Sequence, residues 1–101
     1  MATRHGVADV SEIPAGRGRV LEVAGRQLAV FNVDGKFFAM DNTCPHRGGP
    51  LGDGMLSGNV VTCPWHGWQF DCTSGKSMRN PTVTCATFPT SVDGTTIFVE
   101  I

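Results

Sequence analysis

Gln27-Leu28-Ala29-Val30-Phe31-Asn32-Val33-Asp34-Gly35-Lys36-Phe37-Phe38-Ala39-Met40 reads as a β-rich run, an Asp-Gly pair and a second β-rich run. Asp-Gly suits a two-residue hairpin loop, because both central residues there take positive φ. Within the first run Leu28 and Val30 share one face until Asn32 breaks the alternation. The same grammar continues outward. Asp-Gly recurs at 53–54 and 93–94, and Gly25, Ser57-Gly58 and Ser74-Gly75 supply further turns. Besides 27–33 and 37–40, strand-like runs lie at 19–23, 59–63, 68–71, 83–88 and 96–101. Ile97, Val99 and Ile101 share a face of the last one. Short strands at this spacing predict an all-β fold, a small antiparallel sandwich or barrel. No stretch shows a sustained 3.6-residue period, and the spacing allows at most one helical turn, over 7–12.

The chain has 101 residues, enough for a single domain, 1–101, with a modest core. A domain of this size often needs a staple such as a metal or a disulfide. Its formal net charge is -1, with +1 on residues 1–50 and -2 on the remainder. There is no basic stripe to neutralise phosphates, which argues against nucleic-acid binding. No apolar run approaches the length of a membrane span, and no secretory leader is visible, so a cytoplasmic protein is expected. Spaced cysteines in that compartment are more often metal ligands or redox groups than disulfides.

Residues 41–82 differ from the rest. They hold both tryptophans, two of three histidines, three of four cysteines and four of six prolines. Cys44-Pro45-His46 is followed, after sixteen residues, by Cys63-Pro64-Trp65-His66, a C-x-H-x16-C-x2-H pattern. Each half carries one thiolate and one imidazole, and glycine follows each. Two such loops can face each other, with both sulfurs on one metal and both imidazoles on a second. That suits a two-iron cluster with unequal irons. A zinc site with two Cys and two His ligands uses the same residues, but does not explain why both boxes carry a proline inside and a glycine after. Gly48, Gly49 and Gly67 let the backbone approach bridging sulfides and aim N–H donors at them, while Pro45 and Pro64 stiffen the loops.

CPHRGG at 44–49 and CPWHGWQFD at 63–71 resemble the two cluster-binding boxes of Rieske [2Fe–2S] proteins. The resemblance extends to 33–42 as the strand–turn–strand entering the first box and to 50–54 after it. It continues through Phe70-Asp71, 73–76 and Pro81 as the exit from the second box and a proline loop over the cluster. The fold implied is the Rieske type, with a two-loop cluster-binding part at about 41–82. The resemblance implies that Cys44 and Cys63 bind one iron and His46 and His66 the other. Respiratory and photosynthetic Rieske proteins carry an extra Cys in each box, joined as a disulfide between the loops; Gly49 and Trp65 stand at those positions here. The chain has no Tyr, and no Ser follows His66. With fewer donors to the sulfurs, a potential at the low end of the Rieske range, about -150 mV, is expected. Added negative charge on reduction raises the pKa of ligand imidazoles, so reduction should become proton-linked at high pH.

Other residues read more plainly. Cys72 and Cys85 are expected to be small buried hydrophobes, Trp68 a core aromatic, and His5 a residue of a frayed terminus. Trp65, between two ligands, covers the cluster or meets a partner. Arg47 is either a solvated charge or a docking residue. The resemblance is to ferredoxins of bacterial ring-hydroxylating oxygenase systems. It implies a monomeric one-electron carrier, not itself an enzyme, between a flavin-dependent reductase and a terminal oxygenase. A catalytic oxygenase needs a further iron site with two His and a carboxylate, and beyond His46 and His66 only His5 remains. A small subunit of assimilatory nitrite reductase resembles the same domain and is the alternative; a zinc-stabilised interaction module is a further one.

Overall fold

In a computed structural model that describes residues 3–43, 49–65, 67–80 and 82–101, the β-rich runs pair antiparallel throughout. Ten strands fall into three sheets among the described residues. The middle sheet has the order β2-β3-β4-β8, formed by Gly18–Val23, Arg26–Val33, Lys36–Asp41 and Thr87–Phe88. On one side lies β1-β10-β9, from Arg4–Asp9, Thr96–Glu100 and Thr90–Asp93. On the other lies β5-β6-β7, from Met55–Ser57, Val60–Thr62 and Gln69–Asp71. Single-turn 3-10 helices span Val10–Glu12 and Leu51–Asp53.

The Asp-Gly hairpin forms as its residues dictate. Asp34 and Gly35 take φ of 51° and 87°, and Val33 pairs with Lys36 across them. Strand β3 is buried on both faces. Its Leu28 and Val30 join a core with Ile13, Phe37, Ala39, Ile97 and Val99, while Ala29 and Phe31 join a second with Met40, Leu51, Val61, Cys63 and Phe70. The middle sheet thus serves two cores. Asn32 does not turn outward: it is buried, its Nδ2 donating to Ile13 O at 2.8 Å and its Oδ1 accepting from Gly35 N at 2.7 Å. The polar residue that interrupts the pattern ties the hairpin turn to the segment after β1, because a buried amide must find partners.

Several expectations need correction. His5 lies within β1, opposite Val99, rather than on a frayed end. The terminus is tied down by Thr3 N to Ile101 O at 2.9 Å and Ile101 N to Thr3 O at 3.1 Å. The helical turn expected at 7–12 is strand as far as Asp9; only Val10–Glu12 turns, capped by the Asp9 carboxylate accepting from Ser11 N at 2.9 Å. Strands β5 and β9 were not foreseen. The run 83–88 is strand only at Thr87–Phe88, since Ser77, Gly75 and Lys76 claim Val83, Cys85 and Thr84 as partners instead. Asp53-Gly54 closes the 3-10 turn with Gly54 at φ -76°, so it is no hairpin loop. Among the described residues no helix is long and apolar enough to cross a membrane.

Candidate metal centre

Of the predicted ligands, Cys63 is described; Cys44, His46 and His66 lie outside the described residues, as do Pro45, Arg47, Gly48 and Pro81. Around the first box, the flanking residues Thr43 and Pro50 form an antiparallel bridge. Buried Asn42 fixes the chain beyond them: its carbonyl accepts from Leu51 N at 2.8 Å and its Oδ1 from Gly52 N at 2.7 Å. At the second box, Cys63 N donates to Trp68 O at 2.7 Å and Gly67 N to Cys63 O at 3.1 Å. The strands β6 and β7, paired Thr62 to Gln69, bring these residues out at one end of their sheet. Gly67 has φ of 72°, as its glycine identity allows. Its N–H donates to the Cys63 carbonyl.

The two boxes meet at Gly49. A Cβ on that residue would lie 2.6 Å from Cys63 Sγ, 3.1 Å from Trp65 Cγ and 3.3 Å from Trp65 Cβ. Cys63 is a free thiol and 2% exposed, whereas Pro64 and Trp65 beside it are exposed, Trp65 at 60%. Gly49 is buried. These residues fit a thiolate-held metal group: the sulfur is shielded from water, and a glycine keeps side-chain atoms off it.

The surroundings hold this end of the sheet rigid. Trp68 stacks on Phe70 with centroids 6.5 Å apart, packs against the second core as expected, and carries the Arg79 guanidinium over its ring at 5.5 Å. Ser77, buried, accepts from Arg79 N at 3.1 Å and Asn80 N at 3.2 Å, and its own N–H donates to Val83 O at 2.9 Å. The residues before and after Pro81 are therefore pinned to β7 through the Phe70–Ser77 bridge. Asn42 and Ser77 are anchors that sequence reasoning missed; neither belongs to a ligand-like pattern, and only burial reveals them. Asp71 is raised by burial, but its bonds from Thr73, Asn59 and Ser74 prevail and hold its carboxyl below the usual range. Burial, with Asp71 next in the chain, pushes the Cys72 thiol up to about 11. Cys72 Sγ donates to Asn59 O and Cys85 Sγ to Asp41 O, each at 3.2 Å. Both are buried core thiols, as expected.

A family model described as the Rieske [2Fe–2S] domain matches residues 3–91. The chain is 33% identical over 91 residues to the ferredoxin component of a naphthalene 1,2-dioxygenase system from Pseudomonas aeruginosa, covering 89% of this chain and 88% of that protein. Among solved structures, it superimposes with a TM-score of 0.87 and 31% identity on a chain of the complex of reduced oxygenase and oxidized ferredoxin in carbazole 1,9a-dioxygenase, covering 95% of this chain and 91% of that one. A structure described as the small subunit of an NADH-dependent nitrite reductase from Mycobacterium tuberculosis gives a TM-score of 0.91 at 23% identity, covering 100% of this chain and 96% of that one, and shows the shared fold alone. The match from residue 3 to residue 91, together with the thiol, glycine and strand geometry above, makes this chain a member of the Rieske [2Fe–2S] domain family, so that the metal group implied is a Rieske-type [2Fe–2S] cluster and not a zinc ion.

Proposed function

We propose that this chain is a one-electron carrier that accepts electrons from a flavin-dependent ferredoxin reductase and delivers them to a terminal ring-hydroxylating oxygenase. It works as one domain over 1–101, with the cluster-binding part at about 41–82. Cys44 and Cys63 hold one iron, and His46 and His66 hold the other. When bound, the cluster supplies reversible one-electron chemistry. The protein's part is to hold and shield it. Cys63 is fixed by its backbone bonds to Trp68 and Gly67, and Gly49 keeps its sulfur clear of side-chain atoms. The observation that carries this reading is Cys63, 2% exposed, followed in the chain by the exposed Pro64 and Trp65. A redox group held by that buried sulfur would lie beside residues that a docking partner can reach. Buried thiols at Cys63 and Cys72 suit a reducing, cytoplasmic setting, and a net charge of -1 with no basic stripe suits a chain, acting as a monomer, that binds neither nucleic acid nor an anionic membrane.

The test is anaerobic purification with iron and sulfide counting. Stopped-flow reduction by a flavin reductase and reoxidation by a ring-hydroxylating oxygenase then follow. Two irons, two sulfides and one electron per chain are expected. A colourless protein, or one that only co-purifies with a sirohaem enzyme and passes no electron to an oxygenase, would overturn it.

A further inference from the structure

Each box is closed by bonds of its own, the first by Asn42 with the Thr43–Pro50 bridge, the second by the Cys63–Trp68 and Gly67–Cys63 pairs. Neither set crosses between the boxes. Among the described residues, Gly49 lies against Cys63 and Trp65 across the two boxes. We infer that Gly49 and Trp65 form a latch that sets the spacing of the two boxes, and that both are positioning residues for Cys63. This rests on the assignment of Cys63 as a ligand.

The physical reason is close packing. The base of the Trp65 side chain lies over Gly49, while its ring stays largely in solvent. A Cβ at 49 would sit 2.6 Å from a sulfur, nearer than real Cβ contacts, so the second box must yield. Gly49 is not required here for a left-handed φ; among the glycines with positive φ it does not occur. Its requirement is space. The Trp65 side chain blocks one direction in which the second box could relax, because its Cβ and Cγ stand 3.3 and 3.1 Å from that same point. The two residues should therefore be energetically coupled, as contacting residues are.

The experiment compares Gly49→Ala, Trp65→Phe, Trp65→Ala and Gly49→Ala/Trp65→Ala in the cluster-loaded protein. The readouts are the EPR line shape of the reduced state and the rate of iron loss to a chelator. Gly49→Ala and Trp65→Ala should each shift the signal and speed iron loss roughly tenfold or more, the usual cost of disturbing what supports a ligand. Trp65→Phe, which keeps the Cβ and a ring, should restore both. The double variant should lose iron more slowly than the product of the single effects. Ile97→Ala is the control: it removes apolar volume from the other core, which holds no predicted ligand, so it should lower thermal stability and leave the EPR signal alone. Should Gly49→Ala fail to assemble, the Trp65 pair still decides. A wild-type signal and loss rate in Trp65→Ala overturns the latch, as does additivity in the double variant. Absence of a Rieske signal in the unmutated protein would instead overturn the ligand assignment.

Discussion

The two cores on either face of the middle sheet are built differently. One, with Leu28, Val30, Phe37, Ile97 and Val99, lies under an outer sheet with strands of six, five and four residues and contains no thiol. The other, with Phe31, Met40, Val61 and Phe70, also includes Cys63, Cys72 and Cys85, and its outer sheet consists of three strands of three residues each. Isolated bridges at Thr43–Pro50, Phe70–Ser77 and Lys76–Thr84 supplement those short ladders. The first core is a scaffold that stands on apolar burial. The second is a mount, which leaves the metal group to complete it, as small domains commonly do.

Removing the metal should separate the two most sharply. After chelation, or in Cys63→Ser, iron content should fall to none. Amide exchange should then accelerate in β5–β7 while β3 and β10 keep most of their protection. Uniform loss of protection in all three sheets would break the distinction. Next in size are core truncations. Phe70→Ala should cost about 3–5 kcal/mol and release iron as well, whereas Ile97→Ala should cost about 2–5 kcal/mol and leave the EPR signal in place. Equal damage to the signal from both would show one cooperative core.

What was legible in the sequence follows the same division. The hairpin at Asp34-Gly35 and the face shared by Ile97 and Val99 were readable because side-chain alternation and turn chemistry are local. The cofactor was readable from the spacing of Cys and His, because metal chemistry demands particular residue types at particular spacing. Strands β1, β5 and β9 were not. The polar run Thr90–Asp93 becomes strand only because β10 offers its ladder across the turn at Gly94, and His5 pairs for the same reason. The double burial of β3 hid as a broken alternation, because Asn32 is buried through bonds to residues far off or in the turn. The contact of Gly49 with Cys63 and Trp65 joins the two boxes in space, and no local pattern reports it.

Smaller effects refine the picture. The Cys72 thiol is held at about 11 against an ordinary 9.0, by burial and then by Asp71. The folded chain thus keeps its proton where the unfolded chain releases it. Stability should be full below pH 9 and fall as pH rises from about 9 to 11. Cys72→Ala should flatten that fall in a denaturant titration; an unchanged slope would place the titrating group elsewhere. Smallest of all, Arg79→Ala removes a guanidinium from the Trp68 ring and should cost about 0.5–1 kcal/mol without altering iron content.

In the arrangement proposed, a pair of thiolates from Cys44 and Cys63 and a pair of imidazoles from His46 and His66 hold one cluster. Pulsed EPR of the reduced protein, produced with 15N-labelled histidine, tests it most directly. Couplings to the nitrogens of two histidines are expected, with one retained in His66→Cys. A reduced cluster that shows no histidine nitrogen coupling would contradict the account.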